Sequence, residues 1–476
     1  MRSTFTASRS FFRWLREIAL HVRAAGWLAP ILAILLLASM RPAEAVPSFT
    51  RQTGQPCATC HTAFPELTPF GRNFKLTGYT MEGDTTSVPP IAAMLMPGFT
   101  HTQSKQDAPP APGLKTNDNL ATQQITGLYA GTVYGNLGAF IQVSGNPITG
   151  QVWFDGSDAR YVDSFNLFGK TAYVGIDVNN TPTIEDPWNT MGSWGFPQLS
   201  SAAAAFSPPG THIDSLAQSV GGVGAYVWWN ELVYADFTAY GGYDKNTLEV
   251  FGMQPGPTPD VQQGVMPYWR LAVEPHWGDN YWMVGTFGMY GQTVPGGQYG
   301  FGSDNYLDVG FDTQYQYAGD QYSVTVKATD IIEKQRFNAS VNPAIGLASN
   351  VNDQLNSFKA NATFVWDHTY SLTAGYFNVS GSGDPIWDTG QYGGAGSVSS
   401  PNGDGMILDA AYLPFSHGSP KPYKSANARI GIQYVKYFNL YGGSNNFDGL
   451  AGTPGAGGTH NALGNNTLFL YAWAAF

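Results

Sequence analysis

Residues 306–329 read YLDVGFDTQYQYAGDQYSVTVKAT, two runs of strict alternation parted by Ala318-Gly319. In the first run Leu307, Val309, Phe311, Tyr315 and Tyr317 share one side, and Asp308, Asp312, Gln314 and Gln316 share the other. In the second, Tyr322, Val324, Val326 and Ala328 oppose Ser323, Thr325, Lys327 and Thr329. Residues 357–366 repeat the pattern, with Phe358, Ala360, Ala362, Phe364 and Trp366 against Ser357, Lys359, Asn361 and Thr363. A period of two belongs to a β-strand whose faces meet different surroundings. A soluble β-sandwich shows the same alternation, so alternation alone leaves the architecture open.

Spacing decides it. Outward from this hairpin, strands are expected near 91–102, 121–134, 136–144, 158–168, 170–179, 217–229, 231–242, 268–277, 280–292, 305–317, 320–331, 353–366, 369–379, 404–414, 425–438 and 467–476. Their connections alternate long and short without a break. Gly135, Gly169, Asn230-Glu231, Gly278-Asp279, Ala318-Gly319 and Asp367-His368 make tight junctions. The stretches 103–120, 145–157, 180–216, 243–267, 293–304, 332–352, 380–403 and 439–466 make long ones, and 415–424 makes a medium turn on the short side. Transmembrane β-barrels have this asymmetry, with short periplasmic turns and longer outer loops. An even strand number places both ends of the barrel on the short-turn side. The last strand alternates Leu468, Leu470, Ala472, Ala474 and Phe476, which suits closure against the first strand and removal of open edges.

Composition agrees. Of 476 residues, 57 are Gly, 14% are aromatic and only 12% are charged. Such a chain is too apolar for disorder. The net charge of −11 carries no electrostatic footprint for nucleic acid, so no nucleic-acid partner is expected. Thirteen Trp and twenty-six Tyr suit interfacial girdles.

The first 45 residues read as a signal peptide. Arg2, Arg9, Arg13, Arg16 and Arg23 form its basic region, WLAPILAILLLASM (27–40) its apolar region, and Ala43-Glu44-Ala45 its cleavage site. The expected organisation is therefore a signal peptide over 1–45, a small haem domain over 46–90 and an outer-membrane barrel over 91–476.

Both cysteines of the chain fall in Cys57-Ala58-Thr59-Cys60-His61. This spacing is that of c-type haem attachment. Two thiols three residues apart add to the two vinyl groups of one haem, and the adjacent His lies under the iron as proximal ligand. A thioredoxin-like C-x-x-C would need a βαβ context, and a zinc knuckle would need a second pair of ligands. A disulfide would leave His61 unexplained. Thr68-Pro69, Phe70, Phe74, Leu76 and Gly78 then read as a short helix with an N-cap, an N1 proline and a C′ glycine. A second axial ligand should be Met or His. Met81, the nearest candidate after the helix, is the expected iron ligand opposite His61; Met94, Met96 and His101 in the first strand, or an open iron site, are the alternatives.

The block PSFTRQTGQPCATCHTAFPELTPFGRNFKLTGYTM, residues 47–81, resembles the N-terminal block of the fused outer-membrane monohaem cytochrome–porins of iron-oxidising bacteria. Arg51-Gln52-Thr53-Gly54, Phe64-Pro65, Phe70-Gly71-Arg72, Phe74-Lys75 and Gly78-Tyr79-Thr80-Met81 carry the likeness together with the haem motif. Over the barrel the resemblance is architectural only. It implies one covalent haem c on Cys57, Cys60 and His61, held in or at the barrel. It further implies electron transfer from an extracellular reductant such as Fe(II) to a periplasmic carrier, a cytochrome or a cupredoxin. The enzymatic form of that role is an iron:cytochrome c oxidoreductase.

Two other functions are compatible with the residues: a transport porin with a sensing or gating haem plug, and a periplasmic haem enzyme with a β domain. The long loops carry carboxylates at Asp155, Asp158, Glu185, Asp186, Asp260 and Asp448, where hard cations would find oxygen ligands. Loops of this kind are otherwise simply solvated, and 180–216 is expected to be open to external protease.

Overall fold

The computed structural model describes residues 48–83, 90–106, 108–204, 208–250, 260–388, 400–416, 426–444 and 461–476. The expected signal peptide, residues 84–89 of the tether and Asp448 lie outside them.

Sixteen long antiparallel strands are present among the described residues, and each expected strand is found. They are β1 Ile91–Thr102, β2 Asn119–Tyr134, β3 Leu137–Asn146, β4 Asp158–Leu167, β5 Lys170–Asn179, β6 Val220–Trp229, β7 Val233–Gly242 and β8 Val265–Val273. The second half comprises β9 Asn280–Val294, β10 Asp304–Ala318, β11 Tyr322–Arg336, β12 Asn352–Trp366, β13 Tyr370–Gly381, β14 Gly403–Tyr412, β15 Asn427–Asn439 and β16 Thr467–Ala475. Each pairs with its neighbours in sequence. β1 pairs with β16 from Met94↔Ala475 to Thr102↔Thr467, so the sheet closes on itself. The tight turns behave as their residues require: Asn230-Glu231 and Asp367-His368 have positive φ at both positions, the geometry of a two-residue hairpin turn. Strand β8 stops at Val273, short of the expected 277. Glu274-Pro275 interrupts it, because proline offers no ladder N–H.

The exposure of the strands is inverted relative to a soluble protein. In β10, Phe311 is 56% exposed while Asp308 and Asp312 are 1% and 4% exposed. In β11 the exposed Val326 flanks the buried Lys327. Apolar side chains face outward all round the sheet and polar ones face the lumen. Only lipid makes that arrangement favourable, which excludes the sandwich and identifies an outer-membrane barrel. Exposed aromatics ring the short-turn rim: Tyr134, Phe168, Trp277, Tyr322, Trp366, Tyr370 and Tyr412. Among the described residues no helix is long and apolar enough to cross a membrane.

The lumen is filled from both ends. At the short-turn mouth sit three short helices, α1 Ser48–Thr53, α2 Cys57–Cys60 and α3 Pro69–Leu76. The helix expected after the haem motif is α3; α1, which precedes the motif, has no capping signal and was not anticipated. Gln52 Oε1 accepts from Thr132 N at 3.0 Å, Ala58 N donates to Ser416 O at 3.0 Å, and Arg429 Nη1 donates to Phe64 O at 2.8 Å. Each partner lies at or near the short-turn end of the barrel, so residues 48–83 are a plug seated in that mouth.

Segment 180–216 corrects an expectation. It leaves the long-loop end but folds inward. Glu185, Asp186 and Ile213 are 0% exposed, and Trp188 is 1% exposed. Arg160 of β4 pairs with Glu185 at 3.0 Å, and Arg270 of β8 pairs with Asp186 at 3.0 Å. Buried wall arginines recruit the loop carboxylates, so residues 180–191 are shielded rather than solvated. Asp158 is likewise buried and bound to Arg160. Asp158, Glu185 and Asp186 are thus interior ion-pair partners, not a surface that gathers cations. Asp155 is half-buried and hydrogen-bonded, and Asp260 remains exposed.

Candidate functional site in the barrel lumen

Helix α2 is a single turn. His61 N donates to Cys57 O at 2.8 Å and closes it, which sets Cys57 and Cys60 one turn apart on the same side. Thr68 holds the following segment against this turn. Its backbone N donates to Cys60 O at 2.9 Å and its hydroxyl to Thr59 O at 2.5 Å. The same hydroxyl accepts from Gly71 N at 3.1 Å, so Thr68 is the N-cap of α3 as its sequence suggested. Gly71 permits the contact: a Cβ there would lie 2.2 Å from Cys60 O. Gly78, with φ of 76°, ends the helix as the C′ residue.

Backbone groups of Pro65 and Glu66 orient His61. Its Nδ1 lies 3.1 Å from Pro65 O, so Nδ1 carries the proton and Nε2 is left with its lone pair. Burial pulls the imidazole pKa down to about 4, so the ring is neutral and ligand-competent at pH 7. Burial pushes the Cys57 thiol up and the Cys60 thiol to about 12, with Cys57 adding to the latter. Thiolate chemistry is therefore disfavoured at both, whereas a neutral thioether sulfur bears no such cost.

Cys57, Cys60 and His61 all line one cavity, with about 1200 Å³ of unfilled space that includes its opening to solvent. Its wall is mostly apolar and comes from three sources: Phe64 and Phe74 of the plug, Met94, Leu128 and Phe140 of the barrel, and Ile184 and Trp194 of the inward-folded segment. The aromatic packing is continuous. Phe64 stands edge-on to His61 with centroids 5.2 Å apart, Trp473 lies 4.6 Å from Phe64, and Trp194 stacks on Trp473 at 6.4 Å. A second cavity shares Met94 and Trp194 with the first and continues past Met96, Gln124, Gln142 and Asp155.

The alternatives for the C-x-x-C find no support in this geometry. Neither cysteine is in a disulfide. Among the described residues, the one group of three whose ligand atoms fall within 4.8 Å of one another is Asp177, Glu185 and Asp236, so the thiols and His61 do not converge as zinc ligands would. The carboxylate group belongs to the ion-pair lattice around Arg160. Two free thiols, an oriented neutral imidazole and a mostly apolar cavity open to solvent on one side fit the donor set of a covalently attached haem.

The four candidate ligands separate clearly. Met81 is 37% exposed and does not line the cavity. His101 points outward from β1, where it pairs with Asp118 at 2.7 Å. Met96 faces the lumen but lines only the second cavity. Met94 lines both. A sequence signal for this existed: β1 alternates, so Met94 and Met96 share a face that excludes His101.

No family model and no curated protein matches the chain. Among solved structures it is similar to the outer-membrane channel DcaP of Acinetobacter baumannii, at 11% identity and a TM-score of 0.42 over 83% of this chain and 99% of that one. It is also similar to an anion-selective porin from Comamonas acidovorans, at 10% identity and 0.41 over 81% and 98%. A further likeness is to Salmonella typhi OmpF in complex with daunomycin, at 12% identity and 0.44 over 81% and 97%. At these levels the inverted exposure and the β1–β16 closure, not the likeness, make the chain a porin-like outer-membrane barrel.

Proposed function

We propose that this chain is an outer-membrane electron conduit, passing electrons from an extracellular reductant to a periplasmic carrier through one haem c held in the barrel. The observation that carries the reading is the cavity bounded by Cys57, Cys60 and His61, enclosed by the plug, the barrel wall and segment 180–216 together. A haem bound there supplies a one-electron centre within the membrane's insulating span. Cys57 and Cys60 would attach it, and His61 would bind its iron through Nε2, held by Pro65 O. The apolar wall would exclude water from the group.

A barrel of this strand number otherwise encloses an aqueous channel. Here the lumen is occupied from both ends, which favours electron passage over diffusion of solutes. Fe(II) remains the proposed donor on the resemblance of residues 47–81, and a cytochrome or cupredoxin the proposed acceptor at the short-turn face.

Two measurements test this. Haem should stay with the polypeptide through denaturing electrophoresis, and Cys57→Ala/Cys60→Ala should abolish that retention while the barrel still inserts. Intact cells should then reduce the haem with a donor that cannot cross the outer membrane. Reduction by membrane-permeant donors alone would refute the conduit.

A further inference from the structure

We propose that Met94, a residue of the barrel wall, is the distal iron ligand of the haem, so that the group bridges the plug and the seam where the barrel closes. The inference rests on the haem reading above. Met94 is 7% exposed and directed into the lumen by the alternation of β1. It lines the cavity that holds Cys57, Cys60 and His61. It packs in one apolar cluster with Phe64 and Trp473, and Phe64 is the ring that stands against His61.

The competing donors in the cavity wall are already engaged. Lys75 Nζ donates to Ile184 O at 2.5 Å, and Tyr79 Oη donates to Asp158 at 3.0 and 3.1 Å. A thioether is uncharged, so its burial in an apolar wall needs no compensating partner. Its position also carries a structural consequence. Met94 pairs with Thr126 of β2 and with Ala475 of β16, so it sits where the first and last strands meet. A ligand there fastens the plug to the seam. Thioether ligation also raises the iron's reduction potential, which suits withdrawal of electrons from a weak reductant. Met94 also lines the second, more polar cavity, together with Trp194.

The test uses the full haem-loaded chain extracted from membranes, with Met94→Leu, Met94→His and Met81→Leu. The oxidised wild type should be low-spin and show the thioether-to-iron charge-transfer band at the red edge of its visible spectrum. Met94→Leu should lose the band, become high-spin and fall in potential. Met94→His should stay low-spin without the band, which separates lost ligation from lost folding. Met81→Leu should match the wild type. A band that survives in Met94→Leu, is absent from the wild type or disappears in Met81→Leu overturns the assignment. Absence of covalently retained haem in every form would instead overturn the haem reading itself, and the ligand with it.

Discussion

Two segments fill this barrel, residues 48–83 from the short-turn mouth and 180–216 from the long-loop side, and they are held by different chemistry. The plug is bound largely through side chains reaching to backbone and through close packing: Gln52 to Thr132, Arg429 to Phe64 O, and Tyr226 Oη to Leu76 O at 2.8 Å. The inward loop is held by charge. Asp186 accepts backbone N–H groups from Trp188, Thr190 and Met191 at 3.0, 2.6 and 3.0 Å and also binds Arg270, which reaches Asp312 at 2.5 Å. They meet at several places, and Lys327 of the wall is one bridge, reaching Glu66 of the plug at 4.0 Å and Asn189 O of the loop at 3.4 Å. Lys75 donates to Ile184 O, and Glu274 of the barrel binds both Arg72 of the plug, at 2.9 Å, and the indole N–H of Trp188. One insert carries Cys57, Cys60 and His61, and the other completes the wall of their cavity.

The difference explains what could be read in advance. The C-x-x-C-H spacing is a local pattern, so the residues that come to line the plug cavity could be singled out in advance, as could the Thr68 cap and the Gly78 stop. All sixteen strands were legible because lipid on one face and lumen on the other impose period two. The course of 180–216 was not. Its Glu185 and Asp186 look like any solvated loop acid until Arg160 and Arg270, from strands far away in sequence, are brought to face them. Sequence proximity favoured Met81, because a distal ligand belongs to no motif; which methionine lines the cavity depends on which strand passes it, and that strand carries Met94.

The sharpest way to break the comparison is Arg270→Ala. It leaves Asp186 and Asp312 buried without their cation, and breaking such a buried arrangement costs about 3–5 kcal/mol. Segment 180–216 should leave the lumen. The expected signs are external proteolysis within 180–216, resisted by the wild type, and a raised ion conductance in planar bilayers. Covalent haem should remain, since the plug keeps its own contacts. Loss of the haem on the same substitution would mean that the two inserts are one cooperative unit.

Arg72→Ala is the converse. Arg72 binds Glu274 at 2.9 Å and donates to Gln316 Oε1 at 2.8 Å, but Glu274 keeps the Trp188 indole as a partner. The cost should still be smaller, about 3 kcal/mol, because one buried carboxylate rather than two loses its cation. Thermal unfolding followed by the haem absorbance should shift down, while 180–216 stays resistant to protease. If 180–216 opens as readily as in Arg270→Ala, Glu274 is a shared keystone and the two segments do not have separate anchors.

The smallest expected effect lies within the plug and tests whether α3 is stabilised locally or only by the barrel around it. Thr68→Ala removes the hydroxyl that accepts from Gly71 N and donates to Thr59 O. Loss of an N-cap costs about 1 kcal/mol. The backbone bond from Thr68 N to Cys60 O survives, and Pro69 still favours a helical start. Hydrogen exchange should therefore quicken across Gly71 and Arg72, the α3 amides that bond to Thr68, with little change at Tyr79 and none in the strands. Thr68→Ser should restore the protection, because serine offers the same oxygen. Equal protection in wild type and Thr68→Ala would show that confinement in the lumen, not the cap, holds the helix against the haem-motif turn.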